Sequence, residues 1–240
     1  MSHINAKRPN TRLQIIQLAA RHFIEEGYSK TSAKRLATEL DLSPGNITFY
    51  FPSKDHLLAV LVDELFDFQN IMIDHAAEEG KSSLLSYCLE LTAMAAICEE
   101  SEVARDFYAS SYSSELTLEL IRENDTEKTK AVFGAFCPDW TDEMWEATEN
   151  IVSGIEYATI MTREEKTPLP TQIERTLNTI MMIYGVPEEQ RRAKIGKVLS
   201  MDYRALGRRL LSEFREYIEK VNEDNLKTAR VDNKKKAKRS

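Results

Sequence analysis

Residues 31–54, TSAKRLATELDLSPGNITFYFPSK, read as two short helices joined by a tight turn. Thr31 and Ser32 place hydroxyls where the first amide groups of a helix need acceptors. Leu36, Ala37 and Leu40 then recur at helical spacing and give that helix one apolar stripe. Asp41 and Leu42 make a short connection, and Ser43-Pro44 opens a second helix with a capping residue followed by proline in the first turn. Ile47 and Phe51, four apart, form its inner face. Asn46, Thr48, Phe49 and Tyr50 are left on faces that can reach outward. A helix of this length fits the major groove of duplex DNA with its N-terminal residues nearest the base edges.

The flanks extend the pattern. Upstream, residues 12–28 form an amphipathic helix with Ile16, Ala19, Ala20 and Phe23 on one face and Gly27 as its stop. Downstream, Phe51-Pro52-Ser53-Lys54 ends the second short helix and begins a long one. The set is Ile15, Ala19, Ala20, Phe23, Gly27, Tyr28, Thr31, Ser32, Leu36 and Ala37, then Leu42, Ser43, Gly45, Phe51, Ser53, Lys54 and Leu57. In that spacing it resembles the N-terminal domain of the TetR family of transcriptional regulators, over residues 9–58. Thr48 departs from the resemblance, because the family usually carries tyrosine there; the smaller side chain bears on which base is read.

The charge of the chain supports this only when it is divided. The formal net charge is −7. Residues 1–56 hold eight Lys/Arg against five Asp/Glu, residues 227–240 seven against one, and the remainder carries a net −16. Positive charge thus sits at the two ends and the acidic bulk between them, as expected of a DNA-binding head on a body that does not touch DNA. The run Lys234-Lys235-Lys236-Ala237-Lys238-Arg239 fits either an arm adding sequence-independent affinity or a solubilising end.

Period-2 alternation is missing, and glycine and proline number only eight and seven. The expected architecture is therefore all-α: a three-helix helix-turn-helix domain at 1–56, a larger helical ligand-binding and dimerisation domain at 57–222, and a basic tail at 223–240. Helices are expected near 10–26, 33–40, 44–50, 54–78, 82–99, 101–111, 114–136, 141–163, 171–184 and 188–222. The head–body boundary falls inside the 54–78 helix, which would transmit motion from one to the other.

Each contact in the head has two readings. Asn46 and Thr48 can hydrogen-bond base edges, with asparagine suited to adenine, or be solvated surface. Gly45 leaves room for close approach, or only starts a helix. Phe49 packs on a thymine methyl or sugar, or covers the head's core. Tyr50 and Lys54 are placed for phosphates. The family resemblance adds Lys34 on the preceding helix; Arg12, Lys30 and Arg35 are weaker candidates.

In the body, Cys88, Met94, Phe107, Tyr108, Tyr112, Tyr157 and Met161 suit a mostly apolar effector cavity with polar handles, and equally an ordinary core. By the resemblance, the helices of 82–136 and the end of the 54–78 helix surround the effector. Ile151, Ile155, Ala158 and Thr162, with Gly154 among them, form a stripe at 3–4 spacing. The resemblance implies a homodimer interface there, at 141–163 with 171–184. Tyr203, Leu206, Leu210, Phe214, Tyr217 and Val221 form a second stripe, either a third interface element or a brace over the body.

Other chemistries find little support. Cys88, Cys98 and Cys137 form no CxxC pair and have no histidine at ligand spacing, so no metal is expected and a reduced compartment is. No signal peptide or unbroken apolar span is evident, since the run at 57–65 is interrupted by Asp63 and Glu64. No GxSxG, HExxH or phosphate-cradling glycine loop occurs, so neither catalysis nor a cofactor is expected. The reading is a cytoplasmic homodimeric repressor released from a palindromic DNA site by a small molecule. Two alternatives stay open: a regulator without an effector, and a helical ligand-binding or enzymatic dimer whose head has lost DNA recognition.

Overall fold

The computed structural model describes residues 10–77, 83–162 and 167–221. These form α1 (Thr11–Glu25), α2 (Ala33–Glu39), α3 (Pro44–Tyr50), α4 (Lys54–Ala77), α5 (Leu84–Glu100), α6 (Glu102–Ser113), α7 (Glu115–Phe133), α8 (Asp142–Met161), α9 (Leu169–Ile183), α10 (Glu188–Leu199) and α11 (Tyr203–Lys220), with no strand among the described residues. The basic tail expected at 223–240 lies outside the described residues.

Side chains at the helix starts explain most of these boundaries. Asn10 Oδ1 accepts from the Leu13 amide at 3.2 Å, Ser32 Oγ from Arg35 at 3.2 Å, and Ser83 Oγ from Ser86 at 3.0 Å. Ser101, Thr141 and Asp202 cap α6, α8 and α11 in the same way. Each satisfies an amide that the helix itself leaves without an acceptor. The last cap corrects the single helix expected at 188–222. Ser200 closes α10 with its amide on Gly196 O at 3.2 Å, and Asp202 starts α11 two residues later. Neither glycine nor proline marks that break, so the helical periodicity runs straight through it in the sequence.

α1, α2 and α3 form the head around Ile15, Ile16, Ala19, Ala20, Phe23, Leu36, Ala37 and Ile47, all buried. α4 begins beneath them and continues into the body. Its 24 residues reach about 36 Å. The stretch 57–65 is buried on every side because it packs on α1 at one end and on α5 and α7 further along. α5 is the central helix of the body, packed against α4, α6, α7, α8, α9, α10 and α11. A helix apolar all round is one that has neighbours all round.

Most of the final stripe packs inside the chain as a brace. Tyr203, Leu206, Leu210, Phe214 and Val221 are buried while Tyr217 is 37% exposed, and α11 lies so close to α5 that a Cβ on Gly207 would come 2.5 Å from Ala93 O. From there α11 reaches the head. Gln17 Nε2 donates to Ile218 O and Glu219 O, both at 3.1 Å, while Arg21 pairs with Glu219 and Arg215 with Glu25.

A second bridge comes from α6. Gly27, at φ +106°, turns the chain after α1 in the left-handed region that glycine adopts without strain. A Cβ there would meet Asp106 Oδ2 at 2.8 Å. That carboxylate accepts from the Ser29 amide at 2.7 Å and from Ser29 Oγ at 2.5 Å. The head is therefore tied to the body at three places: α4, α6 and α11.

Candidate DNA-binding face and body cavity

α2 and α3 are joined by a turn in which Asp41 takes φ +53° and the Leu42 amide returns to Ala37 O at 2.8 Å. Aspartate tolerates the left-handed conformation better than most side chains. This turn fixes the angle at which α3 crosses α2, with Ile47 buried between them at 2% exposure. Gly45, Asn46, Thr48 and Phe49 all face solvent. The structure thus brings together on one exposed surface four of the seven residues expected to contact DNA.

The details refine their roles. Ser43 makes no side-chain cap; its hydroxyl donates to Asn46 Oδ1 at 2.5 Å, which orients the amide and leaves its NH₂ group outward. Thr48 Oγ1 donates to Gly45 O at 3.1 Å, so its methyl and the lone pairs of its oxygen are what it presents. Phe49 is 76% exposed and packs only edge-on against Tyr50, at 5.1 Å between ring centroids, so it does not cover the head's core. Lys34 is exposed on α2, and Tyr50 is half-buried beneath Phe49.

Lys54 is a correction. Its ammonium is turned inward, donating to Tyr28 O and Thr31 O at 3.0 Å each and lying 3.8 Å above the Tyr28 ring. Burial lowers its pKa, opposed by the charges of Asp106 and Asp55. It clamps the turn between α1 and α2 instead of reaching for a phosphate. Arg35 is likewise committed, bonding Glu26 through Nη1 at 2.6 Å and Nη2 at 2.8 Å and Glu39 through Nε at 2.9 Å.

In the body, α4, α5, α6, α7 and α8 surround a cavity of about 50 Å³. Met94, Phe107, Tyr108 and Tyr112 line it, as expected from the sequence. Cys88, Tyr157 and Met161 do not. Cys88 lies on the far side of α5, with Sγ 3.9 Å from Met181 Sδ. Tyr157 and Met161 are each 37% exposed on the outer side of α8.

The polar wall of this cavity was missed. It holds Gln69, Glu90, Asp125, Lys128 and Glu156, with Glu149 behind. Glu156 accepts from Tyr87 Oη at 3.1 Å and Tyr112 Oη at 3.0 Å, and Glu149 from Tyr184 Oη at 3.4 Å. Lys128 pairs with Glu90 and donates to Asn70 Oδ1 at 3.1 Å. Burial raises the pKa of Asp125 and Glu156, pushes Glu149 up to about 8, and brings Lys128 down to about 8. The signal was present in the sequence. Trp145, Glu149, Val152, Glu156 and Ile160 recur at 3–4 spacing and put two acids on the buried face of α8.

The stripe expected to meet a second copy is uncovered in the single chain. Ile151 is 62% exposed, Gly154, Ala158 and Thr162 face solvent, and Ile155 is half-buried. Met182 on α9 is 56% exposed. No described helix is long and apolar enough to cross a membrane.

Residues 15–61 match the family model described as bacterial regulatory proteins, tetR family. Over 80 residues the chain is 32% identical to YuxN, an uncharacterized HTH-type transcriptional regulator of Bacillus subtilis (strain 168); the match takes in 33% of this chain and 28% of YuxN. Among solved structures, a gamma-butyrolactone receptor (ArpA-like protein) overlaps 85% of this chain and 97% of its own, at 18% identity and a TM-score of 0.41. The ketosteroid transcriptional regulator KstR2 of Mycobacterium tuberculosis overlaps 74% and 94%, at 15% identity and a TM-score of 0.37.

Proposed function

We propose that the chain is a tetR-family transcriptional regulator, as the match over residues 15–61 supports, and that it acts as a homodimer that binds a palindromic DNA site and leaves it when a small molecule enters the body. The observation that carries this reading is α3: Ile47 anchors it, and Gly45, Asn46, Thr48 and Phe49 stand exposed on one side. Two copies joined through α8 and α9 would set two α3 helices about 34 Å apart, in successive major grooves. The uncovered stripe of Ile151, Gly154, Ala158 and Thr162 on α8 is the surface that this pairing would cover.

The cavity suggests how release works. At about 50 Å³ it is well below the roughly 300 Å³ or more of pockets that enclose drug-sized molecules. A ligand must therefore push its walls apart, and α6 is one of them. The same helix that presents Phe107, Tyr108, Ser111 and Tyr112 to the cavity holds the head through Asp106 and Ser29. A ligand that fits the widened body better than the closed one shifts the head position by that difference in affinity. A tenfold loss of DNA affinity needs only about 1.4 kcal/mol of such coupling.

Gel-shift measurements on DNA flanking the chain's own gene test the reading. Asn46→Ala and Thr48→Ala should each cost roughly 1–3 kcal/mol at the specific site and little on random DNA. No shift on any native fragment at low salt would favour instead a ligand-binding dimer with a head that no longer reads DNA.

A further inference from the structure

We propose that the body cavity takes an organic cation, an amine with an apolar body, whose ammonium group sits among Asp125, Glu149 and Glu156. The functional consequence rests on the effector reading above; the binding does not.

One carboxylate oxygen from each of these three residues lies within 4.8 Å of the others. Like charges so close inside a protein repel strongly unless a proton or a cation intervenes. Glu149 is 1% exposed and Glu156 6%. Every bond to Glu156 comes from a neutral tyrosine hydroxyl. Glu149 receives one from Tyr184, and its other oxygen, Oε1, has no partner among the described residues. A buried carboxylate oxygen without a donor points to a group that is missing.

The cations nearby do not supply it. Lys128 is taken up by Glu90, and Arg122 bonds Ser153 Oγ at 3.1 Å. Arg122 acts on Glu149 and Lys128 on Glu156 through their fields alone, without a bond to either, so three ionised acids would outnumber the two cations near them. A hard divalent cation such as Mn²⁺ suits it poorly, because it needs about six oxygen ligands and the largely apolar wall leaves it three carboxylates. The rest of the wall is apolar, with Leu65, Phe66, Leu91, Phe107 and Ile121 beside the rings of Tyr87 and Tyr112. That combination recognises a cation carried on an apolar skeleton, through carboxylate contact at one end and ring faces along its length.

The test uses the full chain and four probes: phenethylammonium, 2-phenylethanol, phenylacetate and Mn²⁺, compared by calorimetry and thermal shift. Phenethylammonium should bind at least tenfold tighter than the alcohol or the carboxylate. Binding should also tighten from pH 6 to pH 8 and release protons, since an ammonium displaces protons held by acids whose pKa burial has raised, Glu149 to about 8. Tyr87, Tyr112, Tyr184, Arg122 and Lys128 face the same cluster; Lys128, brought down to about 8, begins to lose its own proton in this range, so the pH dependence is read as the difference between the parent and Glu149→Gln. Glu149→Gln should weaken phenethylammonium at least tenfold while the variant without ligand melts no lower than the parent at pH 8, where the parent begins to carry a buried charge at this position. Equal binding of the alcohol or carboxylate, binding of Mn²⁺ alone, or no binding at all would overturn the proposal. If the amine binds without changing DNA affinity, the cation site stands and the effector reading fails. If a neutral or anionic compound releases the DNA through this cavity, the reverse holds.

Discussion

At the surface of the head, Arg35 joins Glu26 and Glu39 while His22 bridges the same two carboxylates at 2.7 and 2.8 Å, so each charge has a partner. Beneath the surface of the body, Asp125, Glu149 and Glu156 meet with too few donors among them. The first arrangement holds a small module in shape. The second lowers the stability of the interior that the proposed effector would enter. Pairing in the head holds Glu26 down to about 2, chiefly through its bonds to Arg35, whereas burial in the body pushes Glu149 up to about 8.

The largest effects test whether the head's outer and inner faces are as separate as they look. Phe23 is fully buried and packs edge-on against Tyr28 at 5.0 Å between centroids. Phe23→Ala should cost about 3–5 kcal/mol in chemical denaturation and take DNA binding with it. Phe49→Ala, at the 76% exposed position, should change stability by less than about 0.5 kcal/mol and still lower affinity for the specific site. Comparable destabilisation by both would erase the distinction between core and DNA face.

Next comes the contrast between close packing in the body and open space on the head. Gly207→Ala forces a Cβ onto the Ala93 carbonyl and should cost about 1–3 kcal/mol in urea denaturation. Gly45→Ala meets nothing nearer than Ser43 Oγ at 3.7 Å, so the isolated protein should tolerate it. Any loss of DNA binding by that variant then reports close approach of the duplex at Gly45.

The head was legible because its signals are local. Helix caps, the Ser43-Pro44 start and the Ile47–Phe51 spacing all act within one or two turns, and residues 31–54 contain them all. The body's site depends on which turns of five helices face one another, and no local signal states that. Tyr157 and Met161 were expected in the cavity because aromatic and sulfur side chains favour interiors, yet both fall on the outward turn of α8. Acids on helices are usually solvated by water, a rule that fails at Glu156, where two tyrosine hydroxyls take the place of water. Lys54 misled for a related reason. A lysine at a helix start near a DNA face reads as a phosphate ligand until the Tyr28 and Thr31 carbonyls are seen beneath it.

Lys54 accordingly yields the third prediction. As a clamp on the turn after α1, Lys54→Ala should lower stability by about 1–2 kcal/mol through two lost charged hydrogen bonds. DNA affinity would fall only in step with that loss, and its dependence on salt would be unchanged. A phosphate contact would show the opposite pattern: stability intact, and the slope of log affinity against log salt reduced by about 1.

The smallest effect separates head from body by sign alone. Glu26 has a folded pKa below its ordinary 4.5, so its contribution is present above that value and is lost as pH falls toward 2. Glu149 has a folded pKa above 4.5, so the folded form holds its proton longer than the unfolded one and stability falls as pH rises from 4.5 to 8. Denaturation midpoints followed from about pH 2 to 8 should therefore rise from acid pH, pass a maximum near 5, and decline toward 8. Glu26→Gln should flatten the acid arm alone, and only slightly, because the pair is exposed to solvent and screened. Glu149→Gln should flatten the alkaline arm alone. Were either substitution to change the other's arm, head and body would not be storing charge separately, and the two carboxyl groups would have to be read as one coupled system.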